Sequence, residues 1–298
     1  LPVSWHNHVS GDHYTIREAW LDRVQEVLDY AVDDDMYVIL NIHHDTDKEY
    51  CYPDKEHLEQ SLSYMTFIWE QLADRFGDYD EHVIFESINE PRLVETDHEW
   101  WLDMNAAECV EAVECINEWN QNFVDVVRKT GGNNATRYLM VPGYDASADG
   151  VLNDKFVLPT DTAENEGKIL VSVHAYIPYH FALQAATENE SIDQFNASEK
   201  TSTNDIDQMM EKLYAKYISN EIPVVIGEFG ARDKNGNLQS RVDYAAYYIA
   251  AARAYGMSCN WWDNNAFTGD GELFGQLDRK TVTWRYPKIV DALMKYAE

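Results

Sequence analysis

Val83-Ile-Phe-Glu-Ser-Ile-Asn-Glu-Pro91 decides the fold. An apolar, β-branched run of strand length ends in an amide and a carboxylate, and Pro91 then stops the strand because it has no N–H to give a ladder. Glu90 and Asn89 therefore come out at the C-terminal edge of a buried strand. Val224-Val-Ile-Gly-Glu-Phe-Gly230 repeats the pattern and delivers Glu228. Its glycines permit tight turning and close approach.

Working outward, the same construction recurs. Strands are expected over Met36–His43, His82–Asn89, Tyr138–Pro142, Ile169–His174, Pro223–Gly227 and Ser258–Asp263. They are apolar almost throughout, as strands covered on both faces must be. Helices are expected over Ile16–Val32, Glu56–Phe76, Ala106–Thr130, Asp205–Ser219, Ser240–Tyr255 and Trp284–Tyr296. In Ile16–Val32 the apolar residues Ala19, Trp20, Val24, Val27, Leu28 and Ala31 keep close to helical period. Strand-helix alternation points to a parallel sheet wrapped by helices. The long irregular stretches 145–166 and 178–204 both follow strands, as active-face loops of a barrel do. No linker divides the chain, so residues 1–298 are expected to form a single domain. A seventh strand is cut short at Leu1–Trp5. The fold is then either an incomplete eight-stranded barrel or an open sheet.

Composition narrows the function. At 298 residues and 45% hydrophobic the chain is long enough for a full core. A net charge of -30 repels nucleic acid and anionic lipid, whose partners carry Lys/Arg patches, but suits a neutral ligand. No apolar run approaches the ~18 residues of a membrane span, so no membrane partner is expected. Four scattered cysteines make no disulfide scaffold. Cys109 and Cys115 on one helix are separated by roughly 9 Å of rise, beyond disulfide reach.

Each strand end carries chemistry-bearing residues. Glu90 and Glu228 supply the pair of carboxyls that glycoside hydrolysis needs, one to protonate the departing oxygen and one to attack or to activate water. Alone, either glutamate is as well explained as a loop or cap residue. His43, His44 and Asp45 follow the strand at Val38, and His174 and Tyr176 follow that at Ile169. Trp261-Trp262-Asp263 close the last strand. Histidines there can bond a sugar hydroxyl or a carboxylate, and Trp262 offers a flat face for a pyranose ring, one of Trp261 and Trp262 being expected in the core. Trp5, Tyr144, Tyr179, Phe181 and Phe267 are further aromatics expected at the mouth, where sugar C–H faces pack on rings. A rival reading takes His43, His44, Asp45 and His174 as metal ligands. Against it, adjacent residues of a strand point to opposite faces, and no metal or organic cofactor is expected. Asp270-Gly-Glu272 has too few oxygens for calcium and reads as a turn.

Together these pieces resemble family 5 glycoside hydrolases, the cellulase family, with the nearest likeness to its subfamily 4 endoglucanases and xyloglucanases. The matching segments are Leu1-Pro-Val-Ser-Trp5, Asn41-Ile-His-His-Asp45, Ile88-Asn-Glu-Pro91, Val173-His-Ala-Tyr176, Ile226-Gly-Glu-Phe-Gly230 and Asn260-Trp-Trp-Asp-Asn264, in the family's order. The resemblance implies a (β/α)8 barrel and a retaining endo-acting hydrolase of β-1,4- or mixed β-1,3/1,4-glucans such as cellulose, lichenan or xyloglucan. It implies Glu90 as acid/base, Glu228 as nucleophile, Asn89 on the substrate 2-hydroxyl, Tyr176 orienting Glu228 and His174 supporting the acid/base side. His43, with His44, would line the central subsite, and Trp262 would be the stacking platform. Trp5 is taken with the substrate-binding aromatics. The family's first strand, first helix and most of its second strand precede a segment like Leu1–Trp5, together with an arginine that supports the nucleophile. The barrel is thus expected to be incomplete at the N-terminus, and a second polypeptide is one way of completing it. The alternatives are a non-catalytic glucan-binding remnant and a mannanase or xylanase of the same clan. A polymeric substrate implies a secreted protein.

Overall fold

The computed structural model describes residues 1–297. They form two compact units, Leu1–Ser172 and Val173 onward.

The first unit opens with a short antiparallel hairpin, β1 (Val9–Ser10) and β2 (Thr15–Ile16). Helix α1 (Glu18–Val32) buries Leu21, Val24 and Leu28, one stripe at helical spacing. Strand β3 (Val38–Asn41), helix α2 (Leu58–Arg75), strand β4 (Val83–Glu86), helix α3 (Ala107–Lys129) and strand β5 (Leu139–Pro142) follow. A short α4 (Ala148–Leu152), capped by Ser147 Oγ accepting from Gly150 N, leads to β6 (Ile169–His174). Strands β3, β4, β5 and β6 pair in parallel in that order, Val38 beside Val83, Phe85 beside Leu139, and Leu139 beside Ile169. Strands β4 and β5 are buried at every residue, which explains their unbroken apolar sequence.

Helices α2 and α3 pack on this ladder through aromatic contacts. The Trp69 ring lies 4.5 Å from Phe123 and 5.3 Å from Phe85, and its Nε1 donates to Ser87 O at 3.0 Å. Arg137 fixes the entry to β4. Its buried guanidinium donates to the carbonyls of Asp80, Val83 and Tyr79 at 2.8, 2.7 and 2.6 Å, and burial pushes its pKa down to about 10. After β5 the backbone folds back tightly. A Cβ at Gly150 would fall 2.2 Å from Tyr144 O, so only glycine fits there.

In the second unit the end of β6 leads through α5 (Tyr179–Ala182) and α6 (Lys200–Lys216) to β7 (Val224–Phe229). Helix α7 (Leu238–Ala254), strand β8 (Ser258–Trp261), the hairpin β9 (Leu277–Asp278) and β10 (Thr283–Trp284), and helix α8 (Pro287–Ala297) complete it. Strand β7 lies between β6 and β8, with Val225 beside Ser258 and Ile226 beside Cys259. Small residues on α7 let α8 approach, and Ala245, Ile289 and Ala292 form their shared core.

All six expected sheet strands and all six expected helices are present, with ends moved by a few residues. Three expectations need correcting. Leu1–Trp5 forms no strand, although Leu1 N donates to Ile39 O and His43 N donates to Val3 O, so it runs beside β3. Strand β8 is not buried throughout: Ser258 and Asn260 are exposed, because its ladder partner is β7 and its other side is an edge. The stretches 145–166 and 178–204 are not wholly irregular, since α4 lies in the first, and α5 and the start of α6 in the second. All four cysteines are free. No helix among the described residues is long and apolar enough to cross a membrane.

Candidate active site

In the first unit the candidate residues collect at the C-terminal ends of β3 and β4. Beyond the formal strand ends the two chains stay together, because Asn89 N donates to Ile42 O at 2.8 Å. Asn41 and Asn89 are buried, at 5% and 2% exposure, and an amide held out of water there is an oriented hydrogen-bonding group. Beneath them lies Glu86, a buried carboxylate. It accepts from Asn41 Nδ2 at 2.9 Å and from Ser172 Oγ at 2.6 Å, and Asn41 Nδ2 also faces His43 Nδ1 at 3.3 Å. A buried carboxylate is tolerable only with such donors. Here they also fix the amide and, through it, the imidazole.

Glu90 follows, its side chain 14% exposed. Arg92 brackets it: Nη1 donates to Glu90 O at 2.9 Å and lies 3.9 Å from Oε2. His43 is buried, whereas His44 reaches solvent, and their rings meet edge-on at 4.3 Å. Enclosure lowers the pKa of His44, the Glu90 carboxylate pulling it the other way.

Four expectations are corrected. The opposite-faces argument does not apply to His43 and His44, because β3 ends at Asn41 and the pair lies in the following turn. Asp45 is no free metal ligand: its buried carboxylate takes Trp5 N at 2.9 Å and Tyr64 OH at 2.7 Å, and meets His6 Nδ1 at 2.6 Å. Trp5 itself has 0% exposure, with Nε1 donating to Asn41 O at 3.0 Å, so it packs as core and offers no face to a sugar. Tyr144 and Phe181, also expected at the mouth, are buried as well.

In the second unit the candidate residues lie at the ends of β6 and β7. Glu228 is 9% exposed. Tyr176 OH donates to its Oε2 at 2.6 Å, and His174 Nδ1 lies 3.7 Å from Oε1. Neighbouring backbone is tied too: Ala175 N donates to Glu228 O at 2.9 Å, and Tyr248 OH to Ala175 O at 3.0 Å. Between Ile226 and Phe229 the β7–β8 register shifts, the kind of irregularity that re-aims a side chain at a strand end. Gly230 is closely packed, since a Cβ there would meet the Phe274 ring at 3.1 Å, and that ring lies 5.3 Å from Tyr176.

Trp262 is partly buried and anchored by its N–H to Phe229 O at 2.9 Å. Trp261 packs edge-on to Phe229 and against the core of α7 and α8, the structural role foreseen for one of the pair. Asp263 organises the following loop by accepting from the backbone of Gln276 and Leu277, each at 3.0 Å. The loop at Asp270–Glu272 is exposed and tied by protein donors, Arg232 to Gly271 O and Asn264 to Glu272 O.

Three residues escaped the sequence reading. Glu86 was legible as the one charged residue inside an apolar strand. Arg92 carried a weaker signal, a cation directly after Asn-Glu-Pro. Lys234 had none. It is buried in the second unit, its Nζ donating to His180 O at 2.7 Å, Gln184 O at 3.1 Å and Ser191 Oγ at 3.0 Å, with burial pushing its pKa down to about 8.

The family model described as "Cellulase (glycosyl hydrolase family 5)" matches residues 1–268. "Endoglucanase B" of Ruminococcus albus is 42% identical over 298 residues, covering 100% of this chain and 68% of its own length. A family 5 lichenase from Caldicellulosiruptor sp. F32 is 60% identical with a TM-score of 0.98, over 100% of this chain and 79% of its own. A GH5-4 broad-specificity endoglucanase from Ruminococcus champanellensis, solved with bound cellotriose, is 44% identical with a TM-score of 0.89, over 98% of this chain and 80% of its own.

Proposed function

Because the chain belongs to the cellulase family, glycosyl hydrolase family 5, and with it to the endo-β-1,4-glucanases built on the (β/α)8 barrel, we propose that it cuts internal bonds of β-1,4- and mixed β-1,3/1,4-glucans with retention of configuration. Glu228 is the nucleophile and Glu90 the acid/base. In the first step a Glu228 oxygen attacks the anomeric carbon while Glu90 gives its proton to the departing glycosidic oxygen. In the second, the Glu90 carboxylate takes a proton from water, the water oxygen attacks the same carbon, and Glu228 leaves. Retention requires the two carboxyls about 5–5.5 Å apart.

The observation that carries this reading is the 2.6 Å bond from Tyr176 to Glu228 Oε2. It fixes one oxygen of a carboxylate on a rigid strand, which is the positioning covalent catalysis needs. Asn89, whose backbone is held by Ile42, bonds the substrate 2-hydroxyl. His43 lines the central subsite with His44 beside it, and Trp262 stacks on a sugar ring. Likeness to a lichenase at 60% identity favours mixed-linkage glucan as substrate. Such polymers do not cross membranes, so the activity is exerted outside the cell.

The test is reducing-end release from lichenan, carboxymethyl-cellulose and xyloglucan by the protein and by Glu228→Gln. Release by the first, and a loss of several orders of magnitude in the second, support the reading. Near-normal turnover by Glu228→Gln refutes it. Binding of lichenan without any release favours the glucan-binding remnant. Loss of turnover with a chelator, restored by zinc, favours the metal-dependent hydrolase.

A further inference from the structure

Residues 230–237, between β7 and α7, fasten the long stretch that follows β6. Arg232 N donates to Ala182 O at 3.0 Å and its Nη1 to Leu183 O at 2.8 Å. The buried Lys234 ammonium takes His180 O, Gln184 O and Ser191 Oγ. Asn235 completes the fastening, its Nδ2 donating to Asp193 Oδ2 at 3.1 Å. Of these donors only the Asn235 side-chain amide can be lost by simple reaction with water.

Asn235-Gly236 is the one Asn-Gly pair in the 298 residues. It fills the two central positions of a tight turn. Asn237 N donates to Lys234 O at 3.1 Å, and φ is 53° at Asn235 and 71° at Gly236. That is the mirror-image turn such a pair favours. Both residues are exposed. Lys234 N donates to Asn237 Oδ1 at 3.1 Å, but Gly236 N gives its hydrogen to no acceptor among the described residues. A Cβ at Gly236 would meet nothing within 4 Å, so the space around this nitrogen is open, and glycine adds no side chain to shield it.

We propose that Asn235 is a site of spontaneous deamidation, and that the charged product unfastens the loop after β6 at Asp193. Gly236 N bonds to Asn235 Cγ, the Cγ–Nδ2 bond breaks, and the proton shed by Gly236 N leaves with Nδ2 as ammonia. Water then adds to one of the two carbonyls of the resulting five-membered imide and opens it to aspartate or isoaspartate. Either product sets a carboxylate against Asp193 where a neutral amide now donates, and like charges at that distance repel. Isoaspartate also adds a carbon to the main chain, which strains the Lys234–Asn237 turn and with it the seat of the buried ammonium. Nothing in this chemistry depends on which carboxylate attacks sugar.

The test is to hold the protein at pH 8 and 37 °C for several weeks and compare its peptides with those of fresh protein. A gain of one mass unit is expected in a large share of the peptide that follows Lys234, with fragment ions placing it on Asn235 and not on Asn237. Asn235→Gln, which would need a six-membered ring, is expected to keep its mass. A peptide of unchanged mass, or a gain on Asn237 instead, overturns the proposal. Hydrogen exchange reads the consequence. The Ile192 amide, which donates to His180 O at 2.9 Å, is expected to exchange severalfold faster in the aged protein and in Asn235→Asp than in fresh protein or aged Asn235→Gln. Equal exchange in all four overturns the unfastening.

Discussion

The Tyr176–Glu228 contact concentrates the chemistry of the second unit in a single bond. Hydrogen bonds to charged groups contribute about 1.5–3 kcal/mol, so Tyr176→Phe is predicted to lower kcat for lichenan by one to two orders of magnitude with little change in KM. Steady-state kinetics reads this, and an unchanged kcat contradicts it. Glu86 is the counterpart in the first unit. It holds Asn41 and Ser172 with separate oxygens, so Glu86→Gln removes the charge that strengthens both bonds and turns one acceptor into a donor. Urea melts are predicted to show a loss of about 1–3 kcal/mol, with unaltered stability as the contrary result. Residues such as Asn89, Glu90 and Glu228 were legible because their signal is local, a polar group closing an apolar run. Trp5 was misread because the same sequence suits a platform or a core plug. What decides is Asp45 and Asn41, some forty residues away, taking up both of its N–H groups.

At the scale of elements, α8 is held to α7 by a core of small residues around Ile289, which is 0% exposed. Ile289→Ala leaves a hole that alanine-lined walls fill poorly, and is predicted to cost about 2–5 kcal/mol in chemical denaturation. A loss under 1 kcal/mol would show that α8 contributes little. The loop after β6 is pinned differently, by the Lys234 ammonium on three oxygens. Burial lowers its folded pKa to about 8, while the unfolded chain keeps that proton to about 10.4. Between those values the unfolded state binds more protons, so this group's contribution to stability rises with pH. The unfolding free energy of the protein minus that of Lys234→Met is therefore predicted to grow between pH 7 and pH 9.5, and a shrinking difference contradicts it. Strands and long helices were legible as elements because period and length agree. The hairpins β1–β2 and β9–β10 were not, since two-residue strands carry no period to read.

For the whole molecule, a charge of -30 means self-repulsion in the folded state. Raising ionic strength from 0.01 to 0.15 M shortens the screening length from about 30 to about 8 Å. The Tm is predicted to rise over that range while kcat/KM on neutral lichenan stays within twofold. A falling Tm contradicts the first part, and a steep kinetic salt dependence the second. The ordered motif set carried family and fold at this scale, because six pieces in sequence constrain far more than any one of them. The central claim is that Glu228 forms a bond to sugar, and one measurement addresses it directly. The protein is incubated with an activated 2-deoxy-2-fluoro-β-cellobioside and its peptides are weighed. The account predicts a single adduct on the peptide carrying Glu228, formed as activity is lost. A label on another carboxylate, or continued turnover giving the inverted anomer with no label, would contradict it.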